Sequence, residues 1–182
     1  MKAVLVVDYD PGWADIFEQL RSRTWPGVCD VATSIEHVGS TAVPGLAAKP
    51  IVDMSVVVPT EGDVPVGIER LASLGYRHQG NLGVEGREAF TAPTDLPTHN
   101  MYLCPSASLA LRNHLAVRAY LRTHPNAAGE YGALKQHLAS RFIHDIDGYV
   151  AGKTEAILKI LRLAGFQSDE LEKIERINRR RV

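Results

Sequence analysis

IEHVGSTAVPGLAAKPIVDMSVVV, residues 35–58, sets two β-branched apolar runs around a loop that holds Gly39, Ser40, Thr41, Pro44, Gly45 and Lys49. The runs are extended in character and close in sequence. They are therefore expected to pair, with the loop at one end of a sheet. Inside the second run stands Asp53, where packing alone prefers Val or Ile. Gly39 lets a backbone N–H approach a ligand without a Cβ in the way. Ser40 and Thr41 add hydroxyl donors, and successive turn N–H groups form a concave anion site. Lys49 supplies a point charge suited to phosphate, and Asp53 a carboxylate suited to a divalent cation that bridges phosphate oxygens. On loop chemistry alone, an ordinary glycine-serine turn with a locally paired aspartate stays open beside this phosphate cradle. It is not a Walker A loop, because no Gly-Lys-Ser/Thr leads into a helix.

Outward from this stretch, Asp10-Pro11 reads as an N-cap and first helical position. Trp13, Ile16, Phe17 and Leu20 then lie on one helical stripe, which Pro26-Gly27 is expected to end. Residues 28–38, 50–58 and 98–104 read as strands, and 66–75 as a short helix closed by Gly75. Glycines 75, 80, 83 and 86 punctuate short strands and turns between them. Three helices are expected next. The first covers 108–122, and Tyr131, Leu134, Leu138 and Phe142 mark the second. The third is marked by Val150, Ile157, Leu161 and Ala164 and ends at Gly165. This order predicts one α+β domain, with an α/β core over 1–105, a helical layer over 106–166 and a tail helix over 167–182.

Composition supports a soluble globular chain and excludes little else. The 182 residues are 45% hydrophobic and 23% charged, with a formal net charge of −1. No global field steers the chain toward nucleic acid or a membrane, so an anion site must be built locally. The N-terminal apolar run is stopped by Asp8 and Asp10, too early for a signal peptide. No run approaches the roughly 20 apolar residues of a membrane helix, and a cytoplasmic location is expected. Cys29 and Cys104 make no metal-ligand spacing and are expected to be buried, reduced thiols. The ending SDELEKIERINRRRV reads as a solvated helix, with acids first and arginines last. Four arginines in the last seven residues leave an RNA-touching tail as the alternative.

The 35–58 stretch resembles the GrpB-like family, grouped with the polymerase-beta-type nucleotidyltransferases. The resemblance extends to YDPGWADIFEQL (9–20), GREAF (86–90), THN (98–100), HLAVRAYLRTHPNAAGEYGALKQHLA (114–139) and YVAGKTEAI (149–157), about residues 4–163 in all. That superfamily has a Gly-Ser turn after one strand and carboxylates on the next, which Gly39-Ser40 and Asp53 match. The resemblance implies a polymerase-beta-like core with a mixed sheet, a C-terminal helical layer, a nucleoside triphosphate as substrate or ligand, and Mg2+ or Mn2+ at Asp53. Two departures stand out. The second carboxylate, two residues on and on the same strand face, is Ser55, and the later strand offers His99, Asn100 and Tyr102. A two-metal site needs several anionic ligands, so a borderline metal shared by Asp53 and His99 is the alternative.

Other candidates are basic. Arg87 follows the turn glycines and can clamp a phosphate bidentately. His114, Arg118 and Arg122 recur on one helix face, with Arg118 the expected anion clamp. Lys135 and Lys153 are expected to face the cleft, and Tyr131 and Tyr149 to pack. Of Glu36 and His37 only one can face the site, and His37 is the expectation. Three functions follow. One is transfer of a nucleotidyl or phosphoryl group to a small acceptor. The second is a binding module for a nucleotide or phosphorylated ligand without catalysis, consistent with the family's occurrence fused to dephospho-coenzyme A kinase. The third is different chemistry in the same cleft.

Overall fold

The computed structural model describes residues 3–179. Helix α1, Gly12–Val28, begins where Asp10 Oδ1 accepts from the Gly12 N–H at 2.8 Å. It runs on through Pro26-Gly27, against the sequence expectation. Proline in a last turn removes only one backbone bond, and the Cys29 N–H still closes the helix on the Trp25 carbonyl at 2.9 Å. Strand β1 therefore starts late, at Ser34–Val38. After it come one 3-10 turn, Ser40–Ala42, and strand β2, Val52–Val58. Helix α2 is Val64–Ser73, followed by β3, Arg77–His78, β4, Glu88–Thr91, and β5, His99–Pro105.

The sheet is mixed, in the order β1-β2-β5-β4-β3. β1 and β2 form the expected antiparallel pair, with Val38 opposite Asp53 and Glu36 opposite Ser55. β2 and β5 run parallel, with Val52 beside His99, Asp53 beside Asn100 and Ser55 beside Tyr102. Because side chains alternate across a strand, this register sorts the residues into two faces. Val52, Met54, Val56, Met101 and Leu103 join the main core with Trp13, Phe17 and Leu20 of α1 and Leu71 of α2. Asp53, Ser55, Val57, Asn100, Tyr102 and Cys104 take the other face, where Val57 and Cys104 pack on Leu111. A strand covered on both sides reads as an almost unbroken apolar run, which is why Asp53 stood out.

The second face is covered by helices α3, Leu109–Thr123, and α4, Pro125–Arg141, with α5, Ile146–Gly152, α6, Thr154–Leu163, and α7, Ser168–Arg179. Ser108 caps α3 by accepting from the Leu111 N–H at 3.2 Å. The third expected helix is two helices, α5 and α6, which meet at Lys153. Thr154 Oγ1 bonds back to the Val150 carbonyl at 3.1 Å, a side-chain bond that competes with helix continuation. α7 is not a merely solvated tail, since Leu171 and Ile174 bury against Leu158 and Leu161 of α6. Arg180 and Arg181, which carry part of the RNA-tail alternative, lie outside the described residues. Cys104 is buried and its thiol is pushed up to about 12 by that burial, whereas Cys29 is exposed at the end of α1. Among the described residues no helix is long and apolar enough to cross a membrane.

Candidate functional site

The β1–β2 turn opens on a cleft of about 880 Å³, walled by the second sheet face and the helical layer and lined by Gly39, Ser40, Asp53, Arg87, Tyr102 and Lys153 among others. This lies at the upper end of the usual size for small-molecule sites. Gly39 makes the turn possible. Its backbone, at φ 73° and ψ −171°, belongs to a region essentially reserved for glycine. A Cβ there would lie 2.2 Å from Asp53 Oδ2, so the bare Cα is what lets the carboxylate sit against the turn.

Asp53 is half-buried at the end of β2. Burial raises its carboxyl above the ordinary carboxylate range. The Asn100 side chain opposes that shift by donating Nδ2–H to Oδ1 at 2.8 Å, as do the charges of Lys153, Lys49 and Arg87. Lys135 reaches the turn from α4, only 2% exposed. Its Nζ donates to Ser40 Oγ at 2.8 Å and to the Ala47 carbonyl, and lies 4.8 Å over the Tyr131 ring. Burial, and next the charge of Lys153, pull this amine down to about 7, while Asp53 pulls the other way. Lys153 lines the cleft from the α5–α6 junction, 4.8 Å over the Tyr149 ring. Both tyrosines are buried, as expected, and each also backs a lysine.

A second cluster forms the adjoining wall. Arg87 is 7% exposed, with its guanidinium 4.5 Å over the Tyr102 ring. His114 faces the same ring at 5.9 Å, and its buried Nδ1 has no hydrogen-bond partner. Burial and the Arg87 charge push this imidazole down to about 4, so it is neutral at pH 7. Arg118 lines the cleft but is engaged: its Nη1 donates to Glu36 Oε2 at 3.0 Å and to the His37 carbonyl at 2.7 Å. One turn on, Arg122 donates twice to the Ala42 carbonyl, at 2.9 and 2.6 Å. The basic row on α3 thus braces the hairpin from behind the turn. Arg118→Ala, which strands a carboxylate and a carbonyl, is expected to cost about 1–3 kcal/mol, measurable as a lower urea midpoint with an unchanged slope.

Several expected site residues are elsewhere. His99 shares a face with Val52, opposite to Asp53, and bonds Tyr76 Oη at 2.9 Å and the Pro97 carbonyl at 2.7 Å. Strand alternation therefore separates His99 from Asp53, and the shared-metal alternative has no geometry behind it. His37 also points away, stacked 4.6 Å from Phe17, and Glu36 takes the helical-layer side instead. Thr41 is buried with Oγ1 3.0 Å from His37 Nε2, so it serves the turn and not the cleft. Ser55 lies on the correct face but is fully buried. Lys49 is close enough for its charge to act on Asp53 without lining the cleft. Asn100 is committed to Asp53. Sequence reading missed Asn113, Glu85, Lys173 and Arg176, which also line the cleft. Lys173 and Arg176 are exposed residues of α7 that border the cleft, and helical spacing alone carries no sign of that cleft.

The paired divalent cations implied by the fold do not fit these donors. Among the described residues no group of three or more His, Cys, Asp or Glu side chains could hold a metal ion. Asp53 stands at the turn with an amide on one oxygen and two lysines nearby, a poor ligand set for a hard cation that demands several oxygens.

Similarity to known proteins follows the same lines. A solved GrpB structure from Enterococcus faecalis superposes with a TM-score of 0.78 at 33% identity, over 93% of this chain and 98% of that one. The Cid1 poly(U) polymerase, solved with MgGTP bound, matches with a TM-score of 0.52 at 15% identity, over 74% of this chain and 45% of that one, which shows a shared polymerase-beta-like nucleotidyltransferase fold. The UPF0157 protein YqkA of Bacillus subtilis is 35% identical over 156 residues, 86% of this chain, and this chain spans only 46% of that relative's length. The model of the family described as GrpB protein matches residues 3–163, and the chain belongs to the GrpB family.

Proposed function

We propose that the cleft binds a nucleotide, or a related phosphorylated ligand, by its phosphate chain at the Gly39–Ser40 turn. One observation carries this reading: Ser40 Oγ, held by Lys135, opens into a cleft whose inner wall also bears Lys153 and Arg87. Backbone and hydroxyl donors at a turn, ringed by cations in a partly enclosed site, are what a phosphate chain requires. The shared fold with a polymerase solved with MgGTP supports the same ligand class. Tyr102 and the neutral His114 supply a less charged wall suited to the remainder of the ligand.

Equilibrium dialysis with labelled ATP and inorganic pyrophosphate tests the reading. Ser40→Glu places a carboxylate in the cradle beside Lys135, which can pair with it and keep the fold intact. This variant is expected to lose about 30-fold or more in affinity, through a like-charge penalty of roughly 2 kcal/mol. Equal binding by the two proteins would overturn the proposal. Nucleotidyl transfer is the second reading, favoured by Asp53 at the motif position on this fold. Pyrophosphate release in an acceptor screen, lost in Asp53→Asn, distinguishes transfer from binding alone.

A further inference from the structure

We infer that residues 80–86 form a lid over the cleft and that Leu82, at its tip, covers the uncharged part of the bound ligand. The inference rests on the nucleotide or related phosphorylated ligand proposed above and adds the residue that encloses it. The segment is the loop of the β3–β4 hairpin, at the edge of the sheet. Asn81, Gly83, Val84, Glu85 and Gly86 line the same cleft as Gly39 and Ser40. Leu82 carries two costs that folding does not return. At φ 49° it is the one residue other than glycine with a left-handed backbone among the described residues, a conformation that is an outlier for a bulky side chain. Its side chain is 58% exposed and belongs to none of the hydrophobic clusters of the described residues. Backbone strain of this kind gathers at ligand clamps, and an apolar side chain held in water beside a cleft gains by burial when a ligand arrives.

The loop is also built to move as one piece. Gly83 N–H donates to Asn81 Oδ1 at 2.8 Å, and Val84 N–H to the Asn81 carbonyl at 3.0 Å. Among the described residues, the hydrogen bonds of 81–86 are these internal ones, which keep the loop's shape without tying it to the sheet or to the helical layer. The ladder resumes at Gly80, whose carbonyl accepts from the Ala89 N–H at 3.0 Å. Gly80 and Gly86 stand at the two ends with φ of 74° and 70°, and a Cβ at Gly80 would meet nothing within 4 Å. Hinges of closing loops are such terminal positions, which absorb the backbone change. Val84 is already buried along the cleft, and Leu82 is the apolar side chain of the loop left outside. A leucine gains by covering an apolar surface and gains nothing over a phosphate. The lid therefore closes on the organic part of a nucleotide and not on its phosphate chain.

Amide hydrogen exchange of the protein alone, with ATP and with inorganic tripolyphosphate, tests the lid together with the variant Leu82→Asn. ATP is expected to slow exchange across 81–86 severalfold, and tripolyphosphate to leave it unchanged. Asparagine tolerates the left-handed backbone, so Leu82→Asn should unfold at the same urea midpoint as the parent or a higher one. It should bind ATP about fivefold or more weakly and tripolyphosphate as the parent does. Unaltered ATP affinity in the variant, a weakening shared by both ligands, or a lowered urea midpoint would overturn the inference. So would a lid that ATP leaves unprotected, one that both ligands protect alike, or binding of tripolyphosphate without binding of ATP. Each of these leaves phosphate recognition at the turn intact. Failure of the parent protein to bind either ligand would remove both readings.

Discussion

Gly39→Ala is expected to destabilise the fold by about 2–4 kcal/mol and to abolish ligand binding in the fraction that folds. Two costs combine. The backbone at Gly39 lies in a region that costs a side-chain-bearing residue about 1–3 kcal/mol. The added methyl must also displace Asp53 Oδ2, 2.2 Å from where the Cβ would be. The carboxylate cannot retreat freely, because Asn100 holds its other oxygen. Chemical denaturation measures the first effect and dialysis with ATP the second. Gly45 provides the control in the same loop: its φ is also positive, but nothing lies within 4 Å of a Cβ there. Gly45→Ala is therefore expected to carry only the backbone cost and to bind normally. Equal effects at the two glycines would contradict the role given to Gly39.

Acidification from pH 6.5 to 4 is expected to remove several kcal/mol of stability. His37 and His114 are each held at about 4 against an ordinary 6.5, by burial first. The charges of Arg122 and Arg118 add to this at His37, and that of Arg87 at His114. Burial lowers His99 as well. In this window the unfolded chain binds protons that the folded chain refuses, so stability rises with pH and is lost as pH falls. Each of the first two histidines contributes about 3 kcal/mol across the window. Asp53 opposes them, because its raised carboxyl keeps a proton in the folded state that the unfolded chain has released. Three depressed histidines act against this one raised carboxyl. At the alkaline side the same bookkeeping predicts a gain above pH 7, where Lys135 sheds its proton in the folded state alone. From pH 9 the Cys104 thiol, ionised in the unfolded chain alone, offsets this gain, and net loss follows above pH 10, where burial keeps Tyr131 and Tyr149 protonated in the folded chain alone. Urea denaturation across pH should show maximal stability between about pH 9 and 10. His114→Gln should flatten the acid limb by close to one proton, and a flat acid limb in the parent protein would contradict the account.

The hairpin and the closeness of Gly39 to Asp53 were legible because each interrupts a strong local pattern, while the mixed sheet followed from the resemblance. A glycine between two β-branched runs and an acid inside one of them have few packing explanations. Helix α3 was legible for the same reason, with Ser108 before an apolar run. Alternation along β1 allowed either Glu36 or His37 to face the site, and only the packing of α1 and α3 on opposite sheet faces decides between them. His99 failed similarly: its face depends on the partner strand and register, which place it beside Val52. Pro26-Gly27 reads as punctuation in the sequence, but a last turn tolerates the pair and α1 runs on to Val28. The contact that matters most for the site, Lys135 to Ser40, joins residues 95 positions apart. No local spacing encodes such a contact, and the placement of Lys173 and Arg176 beside the cleft is hidden for the same reason.

A crystal structure of the protein soaked with ATP tests the cradle most directly. The account predicts phosphate density within hydrogen-bond reach of Ser40, flanked by Lys153 and Arg87. Phosphates bound away from the Gly39–Ser40 turn, or a nucleotide seated elsewhere on the molecule, would contradict it.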